Sequence, residues 1–230
     1  MNNFIIEDIN NFKIDFDFPI KGFSIPSNQK MAEEERNHRP HSVIGIALSS
    51  GRLETASSTY QLPPCMYFAT NEFIQLSCEH GFLIYVEEFH AMNCLGGPIE
   101  NKGRLKYIDG CTDSLLIPPV VKGDPCLNAL YFPKGTKQTF HTHPSFRLGI
   151  VLKGKGVCEH QGGESDLIPG KVFMIPKDCE HRFQTDNNEL VVVAFHPDSD
   201  YGPEHQDHPM INKTEINGIS AKNIKNIQTA

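Results

Sequence analysis

The 230-residue sequence has no basic excess, no long apolar run and no paired cysteine spacing. Its formal charge is −7 at pH 7 and its Lys and Arg residues are dispersed. That argues against a nucleic-acid partner, since phosphate binding needs a basic footprint. No apolar run approaches the ~18 residues of a membrane span. The opening MNNFIIEDINNF has neither a basic flank nor a long apolar region, so no secretory signal is expected. The seven cysteines, at 65, 78, 94, 111, 126, 158 and 179, include no C-x-x-C. Without a secretion signal they are expected as reduced thiols in a cytoplasm, with Cys158 and Cys179 as small buried residues. Helix-forming composition is scarce: MAEEER at 31–36 supports a turn or two at most.

What the chain does have is punctuation. Hydrophobic residues make up 39% and charged residues 21%, and 16 Pro, 18 Gly and 15 Phe are spread along its length. This composition predicts a soluble all-β protein of many short strands and turns. In FKIDFDFPIKGFSIP, Phe12, Ile14, Phe16 and Phe18 share one face and Lys13, Asp15 and Asp17 the other, the pattern of a strand with one wet side. Pro118-Pro119 excludes a central strand at that point, and CLNALYFPKG at 126–135 reads as a strand. HPDSDYGPEHQDHPM after Phe195 reads as a surface loop, with His196, His205 and His208 in it. The last twenty residues suit a short strand, a helix or a mobile tail.

The chain also repeats itself. RPHSVIGIALSSGRL at 39–53 aligns with HPSFRLGIVLKGKGV at 143–157, Gly45 on Gly149. QLPPCMYFA at 61–69 aligns with DLIPGKVFM at 166–174, Pro64 close to Pro169. FLIYVEEFH aligns with the stretch near ELVVVAFHP, Phe89-His90 on Phe195-His196. Two copies of one β-rich unit follow, over 1–110 and 111–230. The symmetry of His90 and His196 predicts a packing role for both.

Chemistry concentrates in GTKQTFHTHPSFRLGIVLKGKG, Gly135 to Gly156. His141 and His143 are two apart, and on a strand such residues project from one face. His181 follows later, after GKVFMIPKDCEH. Three imidazoles with open coordination positions suit Fe(II), Zn, Ni, Cu or Mn.

These residues resemble the two signatures of the cupins. Gly135, His141, His143 and Gly154 fit the first in type and spacing, and Arg147 stands where the family has an acid. Gly170, Pro176 and His181 fit the second, with Asp178 at the usual Gly and Thr185 at the usual Asn. The resemblance implies two tandem jelly-roll barrels: a degenerate N-terminal one and a metal-binding C-terminal one. In the N-terminal copy Asn37, Arg39 and Leu76 take the places of His141, His143 and His181.

The resemblance also implies metal ligation by His141, His143 and His181. With no acid in the set, the site resembles the thiol and diketone dioxygenase branches, where three neutral imidazoles hold ferrous iron and the substrate chelates it. Fe(II) is the favoured cofactor, with Zn, Ni or Mn as alternatives. The expected ligand is a small anion, with Arg147 orienting it and Gln138 donating from behind the ligands. Two placements of Arg147 stand open: sharing the ligands' face on an unbroken strand, or turned outward to a surface acid. Phe140, Phe146, Ile150, Phe173, Ile175 and Phe183 are candidates to line or back the pocket. An isomerase or lyase acting on a sugar acid or keto acid, with Tyr131 or Glu159 moving protons, is the alternative. A non-catalytic sensor is a further one, though no DNA-binding segment is attached. A homodimer paired through outer sheets is also implied.

Overall fold

In the computed structural model the described residues are 4–15, 20–25, 41–72, 74–107, 110–121, 123–198, 214–220 and 223–225. The expected helical turn at 31–36, the positions Asn37 and Arg39, and His205 and His208 lie outside them. All regular structure among the described residues apart from isolated turns is β. In chain order the strands are β1 (Ile5–Asp8), β2 (Lys13–Asp15), β3 (Ile20–Ile25), β4 (His41–Ala47), β5 (Gly51–Thr55), β6 (Thr59–Leu62), β7 (Met66–Thr70), β8 (Ile74–Cys78), β9 (Gly81–Glu87) and β10 (Cys94–Gly96). They continue with β11 (Leu105–Lys106), β12 (Thr112–Ile117), β13 (Cys126–Phe132), β14 (Thr136–Lys137), β15 (Arg147–Gly154), β16 (Gly156–His160), β17 (Gly163–Leu167), β18 (Lys171–Ile175), β19 (His181–Gln184), β20 (Leu190–His196), β21 (Glu215–Ile216) and β22 (Ile219–Ser220).

The chain divides into two units, Asp8–Ile99, and Met1–Glu7 with Glu100–Ala230. The first carries a six-stranded sheet, β10-β7-β4-β9-β3-β2, and a three-stranded one, β6-β5-β8. The second carries a seven-stranded sheet, β1-β18-β15-β20-β13-β12-β11, and a six-stranded one, β17-β16-β19-β14-β21-β22. Each unit is thus a large and a small antiparallel sheet, the jelly-roll plan. Strand β1 joins the large sheet of the second unit, beside β18.

The local sequence explains these strands. Pro118 follows directly on the end of β12, as the Pro-Pro pair requires. β13 and β20 are buried along their whole length. That is why CLNALYF and LVVVAFH are near-continuous apolar runs rather than alternating ones. Leu130, Phe132, Val192 and Ala194 join the core of the second unit with Val151, Phe173, Phe183 and Leu190. Residues of the opposite parity, such as Ala129, Tyr131, Val193 and Phe195, are buried too.

The repeat is visible in strand register. Gly45 pairs with Phe68 across β4 and β7, and Gly149 pairs with Phe173 across β15 and β18. In both places a Cβ on the glycine would run into the phenylalanine ring. The third aligned block is out of register. Gly45 is opposite Leu83 in β9, while Gly149 is opposite Ala194 in β20. His90 therefore does not correspond to His196. It lies beyond β9, exposed, 2.9 Å from the Asn71 amide, whereas His196 ends β20 and is buried. By the same register Thr55 faces Ile74 where His160 faces His181. The residue of the first unit at the His181 place is thus Ile74, not Leu76.

Candidate metal centre

Gly135–Gly154 is not one strand. It holds the short β14, an irregular stretch over 138–146, and then β15. The irregular stretch is laced to β19 and the turn before it. Thr185 N–H donates to Thr136 O at 2.9 Å, and Gln138 N–H to Phe183 O at 3.1 Å. His141 and His181 exchange both backbone bonds at 3.0 Å, and Asp178 N–H donates to His143 O at 2.9 Å. The last of these fixes a departure from the family pattern. Asp178 has φ +58°, in the left-handed region where the usual glycine sits without strain. Thr185, at the usual Asn, donates its hydroxyl to Pro133 O at 2.5 Å and accepts Thr136 N–H at 3.0 Å. Gly154 needs its lack of side chain: φ is +82° and a Cβ would meet Glu189 O.

This lacing brings His141, His143 and His181 together. All three are buried, and their candidate ligand atoms lie within 4.8 Å of one another. Ring centroids are 5.1 Å apart for His141–His143, 4.5 Å for His141–His181 and 5.1 Å for His143–His181. His141 Nδ1 is 2.8 Å from Thr139 O and His181 Nδ1 is 2.9 Å from Cys179 O. A carbonyl only accepts, so both Nδ1 atoms carry the proton and both Nε2 atoms present a lone pair. This is the arrangement that backbone carbonyls impose on ligating histidines. His143 Nδ1 is buried with no hydrogen-bond partner among the described residues.

Electrostatics favours the neutral form of His143 and His181. Burial, then Arg147 and the other imidazoles, hold His143 well below the usual histidine range. Burial first, then His141, pushes His181 down to about 3. Neutral imidazole is the ligating form. The donor set of three buried imidazoles, with the orphaned His143 Nδ1 among their nitrogens, fits a divalent metal such as Fe(II) or Zn.

The cluster opens on a small cavity of about 30 Å³. Phe173, Ile175 and Phe183 line it, as do Leu130 and Phe132 of β13. Of the other expected wall residues, Ile150 pairs with Val193 on the opposite face of the sheet. Phe146 packs toward Phe195 at 6.5 Å between centroids, and Phe140 lies under the Arg182 guanidinium at 4.3 Å. Arg147 lines the cavity and is 3% exposed. It gets there through the turn at 144–146, not through the parity of an unbroken strand. Its Nη1 donates to Ser145 Oγ at 2.5 Å and to the Phe146 carbonyl at 3.1 Å, and Asp198 Oδ1 stands 3.9 Å away. Gln138 also lines the cavity, its Oε1 accepting Phe183 N–H at 3.1 Å, which leaves the side-chain NH₂ as the donating end.

Tyr131 and Glu159 are elsewhere. Tyr131 O–H donates to Glu100 O at 2.9 Å, and Glu159 pairs with Arg182 at 2.6 Å. Sequence reasoning missed five cavity residues, Tyr107, Leu130, Phe132, Ala194 and His196. His196 was hidden by the misregistered repeat. The parity of LVVVAFH, with Val192 and Ala194 facing inward, carries the signal that finds it.

Comparison with known proteins agrees with this architecture. Residues 129–200, which include all three histidines, match the family model of the AraC-like ligand binding domain. No curated protein matches the chain in sequence. Among solved structures, protein Ylba from E. coli superposes with a TM-score of 0.62 at 12% identity, covering 86% of this chain and 93% of that one. The cupin 2 conserved barrel domain protein from Leptotrichia buccalis gives 0.55 at 13% identity, over 84% and 88%. Salicylate 1,2-dioxygenase from Pseudoaminobacter salicylatoxidans gives 0.53 at 7% identity, over 77% and 67%. The chain is a cupin-fold protein of two tandem jelly-roll barrels.

Proposed function

We propose that the C-terminal barrel holds a divalent metal through His141, His143 and His181 and acts there on a small anionic molecule, with ferrous iron and dioxygenase chemistry as the favoured case. The observation that carries this reading is the all-imidazole cluster, three buried histidines opening on a cavity that also receives Arg147. A bound metal would supply Lewis acidity and, as iron, access to dioxygen chemistry. Three neutral ligands leave its full +2 charge in place, which favours an anionic substrate. Arg147 orients that anion, its guanidinium steered by the carbonyls and hydroxyl at 145–146. Gln138 donates toward the substrate from the stretch that follows β14, and the wall of Phe173, Ile175 and Phe183 excludes water.

The test is metal content after anaerobic purification, with His143→Ala alongside, followed by oxygen uptake with thiols, diketones and small carboxylates. Iron lost in the variant and uptake with one substrate class support the reading. Zinc or manganese with no uptake turns it toward Lewis-acid chemistry, the isomerase or lyase alternative. No metal in either protein removes it.

A second reading rests on the family match. A ligand-binding domain over 129–200 supports a sensor in which the same cavity binds its ligand without turning it over. Tight ligand binding with neither oxygen uptake nor product would favour it.

A further inference from the structure

His196 is the cavity imidazole to which the proposed function gives no task. It closes β20, is 6% exposed, and lines the same cavity as His141, His143, His181 and Arg147. It stands outside the group of three whose candidate ligand atoms lie within 4.8 Å of one another. It is near that group all the same. Burial, Arg147, His181 and His141 come first among the causes that hold His143 below the usual histidine range, and His196 follows them.

Strand register sets His196 beside Arg147. In an antiparallel pair, directly opposed residues point the same way and stand about 5 Å apart at Cβ. Leu148 of β15 is opposite Phe195 of β20. One step toward the strand ends brings Arg147, the first residue of β15, level with His196, the last of β20. Cavity residues flank them on the same face. Arg147 is opposite Ile175 of β18, and His196 follows Ala194 by two residues on β20. Ile175 and Ala194 both line the cavity.

The chemistry of the two side chains is that of donors. The contacts of Arg147 to Ser145, Phe146 and Asp198 fall on Nη1, one corner of a guanidinium with five N–H donors. A neutral imidazole carries one N–H. No acidic side chain is among the described residues that line the cavity. The space is also small. About 30 Å³ is room for on the order of two water molecules, so what fits is a carboxylate head with little behind it.

We propose that His196 and Arg147 form one carboxylate cradle, each donating to a different oxygen, and that the substrate of the site is a short monocarboxylate of two or three carbons. This rests on the proposed function only in taking Arg147 as the anion contact. The second donor and the size limit are additions to it, and neither needs the metal.

Calorimetric titration tests the cradle, on protein loaded anaerobically with Fe(II) and on chelator-treated protein. The probes are acetate, propanoate, hexanoate, acetamide and propanamide. In the wild type, acetate or propanoate binds about tenfold or more tightly than its amide and than hexanoate, as expected for charge-assisted hydrogen bonds in a dry, small site. His196→Leu weakens that binding about tenfold. His196→Gln, which keeps an N–H at similar reach, restores most of it. Iron content is the same in all three proteins. Rescue by glutamine marks a donor, since a packing role would be served better by leucine. Equal affinity for carboxylate and amide in the wild type overturns the proposal without needing any variant to fold, and hexanoate bound as tightly as propanoate overturns the size limit. Unchanged affinity in His196→Leu overturns the cradle, as does loss of iron from that variant, which would make His196 a ligand. Failure of the metal reading looks different. A protein that takes up no iron yet grips propanoate through His196 keeps the cradle and removes the metal centre. An iron-loaded protein that binds no carboxylate does the reverse.

Discussion

His143 differs from its two neighbours in having an Nδ1 that nothing among the described residues satisfies. His141 and His181 lean on carbonyls and keep their tautomers whatever the metal does. His143→Ala is therefore expected to take metal content from about one per chain to near zero, read by elemental analysis. Arg147→Met is expected to weaken binding of a small anionic ligand by about 10- to 100-fold, the loss of one charge-assisted contact, read by calorimetry. In chelator-treated protein the histidines also set a pH dependence. Free histidine titrates near 6.5, and His181 in the fold is pushed down to about 3. Above 6.5 neither state takes up the proton. As pH falls below 6.5 the unfolded chain does and the folded one does not, so stability drops, by up to about 1.4 kcal/mol per pH unit for each such histidine. Denaturant midpoints at pH 7 and pH 5 check the sign. The three clustered histidines were legible because His-x-His with a downstream partner is a local pattern. Arg147's direction was not, because it depends on the turn at 144–146, which residue spacing does not encode.

At the scale of elements, the two glycine–phenylalanine pairs are the same packing solution used twice. Gly149→Ala drives a methyl into the Phe173 ring, and Gly45→Ala does so at Phe68 and Leu83. Each is expected to lower unfolding free energy by about 1–3 kcal/mol, the usual cost of overpacking, read by denaturant unfolding. Gly149→Ala should also loosen metal binding, since Phe173 lines the cavity, and Gly45→Ala should not. The strands β13, β15, β18 and β20 were readable from their apolar runs and flanking Pro and Gly. The alignment of β9 with β20 failed because Phe-His closes both stretches by coincidence of composition. Register, fixed by pairing partners such as Leu83 and Ala194, overrides such likeness. Strand β1 was not legible as part of the second unit. Nothing in FIIEDINNF names the sheet it joins, because edge pairing is backbone chemistry.

At the scale of the molecule, the odd count of cysteines has a simple outcome: all seven are free, five of them buried. Burial raises the thiols of Cys78, to about 11, and of Cys158, so neither is a reactive thiolate at neutral pH. Thiol reagent added to the folded protein is expected to label Cys65 and Cys94 first, and the remainder only on unfolding, as mass spectrometry of the labelled chain would show.

Strand β1 carries a consequence for how the protein is made. Phe4 stacks on His160 at 4.3 Å and lies 6.5 Å from Phe173, so the start of the chain packs beside the wall of the cavity. Its partner strand β18 begins at Lys171. On the ribosome β1 emerges long before β18, and it waits, unpaired, while the residues between them are synthesised. A fragment beginning at Glu100 would be born with an open edge on β18, the kind of edge that recruits other chains. A peptide spanning the first eight residues, added during refolding, would be the natural stopper for it.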